Sequence, residues 1–106
     1  MVESVFTLAG AKVEFTGSYS GWNPNLDSTI LKTMKEVYKK EFGEEAAVKV
    51  IHAGLECGIL GAIEPKLDMV SFAPTIRHPH SPDEKINIES VSKFWKLLVA
   101  TLEHLK

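Results

Sequence analysis

Three short segments of the chain have the hydrophobic pattern of β-strands. Residues 11–16 alternate between apolar and polar side chains, as a strand with one buried face does. Residues 46–51 are apolar and rich in β-branched side chains, and residues 67–72 form a second apolar run. The sequence therefore predicts a strand in each segment, and the first strand can extend back to near Val5.

Two longer segments have the 3.6-residue period of amphipathic helices. The first follows Asp27 or Ser28, which can cap a helix, and ends at Gly43, a usual stop residue. Its apolar positions are Ile30, Leu31, Met34, Val37, Tyr38 and Phe42. The second follows Asn87 or Ser90, and its apolar stripe is Val91, Phe94, Trp95, Leu98, Leu102 and Leu105. We predict a helix over each segment.

The remaining segments favour turns and loops. Residues 17–25 are rich in Gly, Ser, Pro and Asn, and residues 52–61 are small, which predicts a turn or short helix between two strands. Residues 74–87 contain three prolines, which exclude a regular helix or a central strand. The order of elements predicts an α/β fold, with helices covering a small sheet whose edges need partners.

Composition limits the classes of protein to consider. With 106 residues, 44% hydrophobic and 25% charged, the chain is one globular domain or part of one. A unit of this size buries only about 60–65% of its unfolded surface, so self-association into a homo-oligomer is expected. The net charge of -2, without a cluster of basic residues, excludes nucleic acid and anionic membrane as expected partners.

The compartment follows from cysteine content and hydropathy. Cys57 is the only cysteine and cannot form an intramolecular disulfide, which fits the cytoplasm. It is a candidate nucleophile without a clear activating base nearby, and a small buried cysteine is the commoner case. The sequence has neither a signal-peptide pattern nor an apolar run long enough to span a membrane.

The block H-P-H-S-P-D-E, residues 78–84, is the first candidate site. His78 and His80 stand next to Asp83 and Glu84 where prolines restrict the backbone. Imidazole and carboxylate groups together suit zinc, and a carboxylate could fix the ring orientation of a ligating histidine. The alternative is a solvent-exposed turn whose polar side chains cap the next segment.

The block I-H-A-G-L-E-C-G is the second candidate. Gly54 and Gly58 allow a ligand to approach the backbone closely, while His52 and Glu56 add polar groups that could bind a substrate carboxylate or amide. The alternative is that the two glycines serve tight packing where a strand meets a helix.

Four blocks together resemble the C-terminal part of bacterial aminoacyl-histidine dipeptidases, also called Xaa-His dipeptidases or carnosinases. The blocks are Y-S-G-W-N-P-N-L-D-S, I-H-A-G-L-E-C-G-I-L, L-D-M-V-S-F-A-P-T-I and P-H-S-P-D-E-K-I-N-I-E-S-V. They occur in order and cover nearly the whole chain, which makes the resemblance specific.

The resemblance implies part of a cytosolic metallopeptidase that hydrolyses Xaa-His dipeptides such as β-alanyl-histidine. Its catalytic domain would be a three-layer α/β/α, zinc aminopeptidase-like domain with two zinc ions, interrupted by a lid domain. Residues 1–17 would be the last lid strand and the return, and residues 18–106 the C-terminal part of the catalytic domain.

The resemblance also implies roles for individual residues. The H-S-x-x-E element of the family supplies a metal-ligand histidine, which falls on His80, with Asp83 and Glu84 as supporting residues. His78 matches no ligand position. The remaining ligands, the bridging aspartate and the general-base glutamate of the family lie outside the matched part. Because one imidazole cannot hold a catalytic zinc, the chain alone is expected to be inactive and to lose zinc.

The family's H-A-G-L-E-C-G block looks like its substrate-facing loop, so Glu56, Gly54 and Gly58 are candidates for contact with the dipeptide. His52 matches no defined role. Two other interpretations stay open: a non-catalytic small α/β module that binds a partner through its sheet edge, and part of a related metal-dependent amidohydrolase or aminoacylase.

Overall fold

The computed structural model describes residues 2–51 and 54–106, which form four helices and one β-hairpin. The two strands of the hairpin pair antiparallel, with Ile76 opposite Ile86 and Arg77 opposite Lys85. The prediction of a mixed helix-and-sheet chain is confirmed. In chain order the elements are α1 (Val2–Leu8), α2 (Thr29–Phe42), α3 (Glu56–Ile63), β1 (Ile76–Arg77), β2 (Lys85–Ile86) and α4 (Ile88–His104).

The long helices α2 and α4 form where the sequence predicts them because their caps are local. The hydroxyl of Ser28 accepts the amide of the third residue of α2 at 3.0 Å. At the other end Gly43 takes φ 73°, the left-handed conformation that favours glycine, and donates its N–H to Lys39 O. Asn87 caps α4, since its side chain accepts the N–H of Ser90 at 2.9 Å.

A second, distant cap fixes the start of α2. The Asp68 carboxylate accepts the backbone N–H of Thr29 at 2.8 Å and of Ile30 at 3.1 Å. Hydrogen bonds from Ser28 and then from these amides hold the pKa of Asp68 below its ordinary value. The segment before β1 is thereby attached to the N-terminal end of α2.

The core lies between α2 and α4. Met34 and Val37 of α2 and Leu97 of α4 are its buried hydrophobic residues. Phe72 packs beside α4, with its ring centroid 4.9 Å from that of Phe94. The partly buried hydrophobic residues around this cluster are Ile30, Tyr38, Phe42, Val70, Phe72 and Ala100. The core is therefore a seam between two helices with one apolar segment added.

An exposed polar clamp joins the C-terminal end of α2 to α4. The Lys93 ammonium lies 2.8 Å from Glu44 Oε1 and 4.8 and 4.7 Å from the ring centroids of Tyr38 and Phe42. The Tyr38 hydroxyl donates to the same carboxylate at 3.1 Å. The Lys93 contact, and then the Tyr38 contact, hold the pKa of Glu44 below its ordinary value of 4.5.

The clamp predicts a pH dependence. Since the folded-state pKa of Glu44 is lowered, its stabilising effect is complete above pH 4.5 and is lost as the pH falls through the folded value. Glu44→Gln is expected to lower Tm by a few degrees at most at pH 6, because the pair is exposed. The difference should shrink as the pH is lowered from 4.5 toward 2.5. Thermal unfolding at both pH values, with Glu36→Gln as an exposed control on α2, measures this; an undiminished difference at pH 2.5 contradicts it.

None of the three predicted strands is present within residues 2–51 and 54–106. Residues 11–16, 46–51 and 67–72 are irregular, and Val2–Leu8 forms a helix where the first strand could have begun. A strand exists only when a neighbour completes its hydrogen-bond ladder, and within residues 2–51 and 54–106 these three segments have no such neighbour. The observed hairpin instead lies inside the stretch predicted as a loop, residues 74–87.

Much of the apolar surface stays exposed. The radius of gyration is 18.5 Å, whereas a compact domain of this length has about 13 Å. Val50 is 71% exposed, Trp95 63% and Ile88 82%. Trp95 and Leu102 of the α4 stripe are thus largely exposed, although Phe94 of the same stripe packs on Phe72. The chain buries little of its hydrophobic surface by itself. Of the helices described, none has the length and apolar character needed to cross a membrane.

Candidate functional site

The candidate metal loop, residues 78–84, is closed at its base by the β1–β2 hairpin. It places His78 at φ 54° and His80 at φ 62°. This left-handed conformation is uncommon for residues other than glycine and persists only where neighbouring contacts hold it. Both histidines are exposed, so the loop presents the His80 imidazole on a shaped, accessible turn.

Hydrogen bonds to the main chain hold the loop. The His80 N–H donates to Glu84 Oε2 at 2.7 Å, and the Glu84 N–H donates to Ser81 O at 3.0 Å. The Ser81 hydroxyl donates to His78 O at 2.9 Å and accepts the N–H of Asp83 at 3.2 Å. Glu84 thus contacts the backbone of His80, which differs from the expectation that a carboxylate would orient the ring. Asp83 takes part through its own N–H.

The loop does not make a metal site from the described residues alone. Among residues 2–51 and 54–106 no three His, Cys, Asp or Glu side chains converge closely enough to hold a metal ion. Zinc in proteins takes about three or four protein ligands. The chemistry of His80 fits one such ligand, and the other ligands would have to come from elsewhere.

The second candidate segment packs against residues 19–20. A Cβ added to Gly58, which is buried in α3, would lie 2.4 Å from the backbone carbonyl oxygen of Ser20. A Cβ on Gly54, which is exposed, would lie 2.8 Å from ring carbons of Tyr19. The packing alternative therefore accounts for Gly58, because Ser20 can approach α3 only if no side chain is present there. The contact at Gly54 is with the exposed side chain of Tyr19, which can rotate away.

Glu56 is the first residue of α3 and is exposed. A carboxylate at this position is stabilised by the helix dipole, and its exposure makes it accessible to a cationic group. His52, the other polar residue of the block, lies outside the described residues. The structure therefore leaves Glu56 as an accessible charged side chain of this segment.

A cleft of about 290 Å³ lies between α3 and the turn that carries Trp22. Cys57 and Gly58 line it, but residues 78–84 do not. The full lining is Gly21, Trp22, Asn23, Asn25, Cys57, Gly58, Gly61, Ala62, Pro65, Leu67, Asp68 and Met69. Asn23 and Asn25 were not among the candidate residues predicted from the sequence. Both belong to the block Y-S-G-W-N-P-N-L-D-S, beside Trp22, and this position could have indicated them. Of the two candidate segments, only the second borders this cleft, through Cys57 and Gly58.

Comparison with known proteins finds two dipeptidases that are similar to this chain. It is 45% identical over 105 residues to the cytosol non-specific dipeptidase of Escherichia coli (strain K12), an alignment that covers 99% of this chain. It is 50% identical over 97% of its length to the crystal structure of aminoacylhistidine dipeptidase from Vibrio alginolyticus, with a TM-score of 0.76. Nearly the whole chain is therefore similar to a segment of these two dipeptidases. No family model matches it.

The aminoacyl-histidine dipeptidase resemblance in the four sequence blocks is thereby confirmed. The chain spans only about a fifth of each relative, 22% of the E. coli protein and 21% of the Vibrio one. The two dipeptidases show what the matched segment is similar to, and the solved structure shows its local fold. The roles of His80, Asp83, Glu84 and Glu56 stay predictions.

Proposed function

We propose that this chain is the C-terminal part of a cytosolic zinc dipeptidase that hydrolyses Xaa-His dipeptides such as β-alanyl-histidine. The observation that carries the proposal is identity of 45–50% to two dipeptidases, spread over 97–99% of the chain. Identity at this level over nearly the whole length of this chain supports a common reaction as well as a common fold. The printed name of the E. coli relative supports the cytosol.

The exposed apolar surface supports a place inside a larger domain. Segments 46–51 and 67–72 would be strands of a sheet completed by other polypeptide, and the exposed stripe of α4 would cover one face of that sheet. This gives a three-layer α/β/α domain of the zinc aminopeptidase type for residues 18–106. Residues 1–17 would return from a lid domain. The small core disfavours a self-contained interaction module.

The donor set supports zinc as the cofactor, with two ions in the complete active site. His80 would supply one ligand, and Glu84 would hold the backbone of His80 in its left-handed conformation. Asp83 would support the same turn through Ser81. When bound, zinc supplies a Lewis acid that polarises the peptide carbonyl. The contribution of this chain is the position of the imidazole.

Substrate contact is assigned to the N-terminal end of α3. The exposed Glu56 carboxylate suits the ammonium group of a dipeptide, and the backbone at Gly54 is accessible beside it. Gly58 would act by letting Ser20 approach α3, which shapes the cleft next to this segment. The dipeptide is the expected small-molecule partner, and association into a homo-oligomer is part of the proposal.

The test compares the purified chain with a chimera in which it replaces the matching segment of the E. coli dipeptidase. Zinc content is measured by metal analysis and activity by hydrolysis of β-alanyl-histidine. The chain alone is expected to hold substoichiometric zinc and to be inactive, because its described residues offer no complete ligand set. The chimera is expected to bind zinc and to turn over.

Either of two results would contradict the proposal. Stoichiometric zinc or turnover by the chain alone would identify an independent metalloprotein. A folded chimera without zinc and without activity would show that the chain cannot supply the functions of the segment it replaces. The unaltered E. coli enzyme is the positive control, and the same enzyme lacking the segment is the negative control.

A further inference from the structure

The hairpin that carries the metal loop has an unusual last rung at its base. Extending the register of β1 and β2 by one residue places Thr75 opposite Asn87, and an antiparallel pair of the hydrogen-bonded type exchanges two direct N–H to carbonyl bonds. The Asn87 N–H does donate to Thr75 O at 2.9 Å. The reciprocal bond is indirect: the Thr75 N–H donates to Ser90 Oγ at 2.8 Å, and that hydroxyl donates to Asn87 O at 2.7 Å.

The inserted hydroxyl comes from the first turn of α4. Ser90 is half-buried, and its own N–H donates to the Asn87 side chain at 2.9 Å. One serine therefore takes part in both the helix cap and the rung that closes the loop. The Ser90 hydroxyl therefore acts both as a donor and as an acceptor.

We infer that Ser90 is a positioning residue for His80, setting the distance and angle between the hairpin base and α4. The inference rests on the proposed function, in which His80 is a zinc ligand. Without the hydroxyl, Thr75 and Asn87 either pair directly, which brings the strands together, or bond to water, which frees the hairpin base from α4. Both outcomes move the two-rung hairpin, and a ligand displaced by about 1 Å binds metal poorly.

Three variants test the inference in the 106-residue chain and in the chimera. Ser90→Ala removes the hydroxyl, Ser90→Thr restores it, and Ser92→Ala changes an exposed serine on the same helix. Amide exchange at Thr75 and His80 is measured by NMR in the chain, with Val37 in the core as the reference for global folding. Zinc affinity is measured in the chimera by competition with a chelator, together with kcat and KM.

Ser90→Ala is expected to speed exchange at Thr75 and His80 by about tenfold while Val37 stays protected. In the chimera it should weaken zinc binding by about 10–100-fold with KM little changed, as loss of a residue that orients a ligand does. Ser90→Thr and Ser92→Ala should resemble the parent. Unchanged exchange at His80 in Ser90→Ala, or a loss of the Val37 protection along with it, overturns the inference.

The two proposals fail differently. If His80→Ala keeps full zinc in the chimera, the assignment of His80 as a ligand fails, whatever Ser90→Ala does. If His80→Ala loses zinc while Ser90→Ala binds it as tightly as Ser92→Ala, the ligand assignment stands and the positioning role of Ser90 fails.

Discussion

Alanine in place of His80 is expected to strip zinc from the dipeptidase chimera and to lower its turnover of β-alanyl-histidine by orders of magnitude. A catalytic zinc has few protein ligands, so the loss of one imidazole leaves a site that binds metal weakly and positions it badly. The exposed loop makes the replacement tolerable for folding, since the His80 side chain is not part of the core. Metal analysis and steady-state kinetics measure both effects.

His78→Ala is the matched control. His78 stands two residues away in the same loop, is also exposed and also has a positive φ, 54° against 62° for His80. Alanine therefore meets the same backbone strain at both positions. His78→Ala should keep zinc and most activity. Equal losses in the two variants would mean that the loop is sensitive as a whole, and near-normal zinc in His80→Ala would end the ligand assignment.

The elements that the sequence predicted correctly are those determined by neighbouring residues. The start of α2 at Ser28 and its stop at Gly43 are set by hydrogen bonds within one helical turn, and so is the cap of α4 at Asn87. The short helix α3 was one of two options for the small-residue segment. Local caps therefore predict the boundaries of α2 and α4, while the stability of both helices also depends on their packing against each other.

The strand predictions failed for a reason of the opposite kind. Val48 and Val50 have the side chains of a buried strand, but each is exposed, at 51% and 71%. A strand forms its hydrogen bonds with a neighbouring strand, and the local sequence pattern does not show whether such a neighbour is present. The same limit applies to the cap of α2 by Asp68, which comes from a distant part of the chain. No pattern near Thr29 indicates it.

The sequence indicated a contact between His80 and Glu84 but not the geometry of that contact. The H-S-x-x-E element indicated that Glu84 supports His80, and the structure joins these residues. It joins the carboxylate to the backbone, because the left-handed turn at His80 directs the N–H toward Glu84. Positive φ at a non-glycine residue cannot be inferred from residue type. The Ser90 hydroxyl in the hairpin rung was equally beyond sequence reasoning, since serine near a helix start usually indicates a cap.

Gly58→Ala is expected to destabilise the chain strongly for so small a change. The added Cβ would lie 2.4 Å from the Ser20 carbonyl oxygen, so either α3 or residues 19–21 must move. Since both sides of this contact are backbone, no side-chain rotation relieves it. Overpacking of this kind costs about 1–3 kcal/mol, partly offset by the roughly 1 kcal/mol higher helix propensity of alanine. Urea unfolding followed by tryptophan fluorescence measures the loss, with signal from Trp22, which lines the adjacent cleft, and from Trp95.

Gly61→Ala is the control, because it adds the same methyl group to the same helix. Its Cβ would lie 3.2 Å from Met69 Cε, the mobile end of a flexible side chain that can move aside. The propensity gain should then dominate, leaving this variant as stable as the parent or slightly more so. If the two alanine variants unfold at the same urea concentration, α3 does not pack on Ser20 as described. Since Gly58 lines the cleft, that result would also remove the proposed role of Gly58 in shaping it.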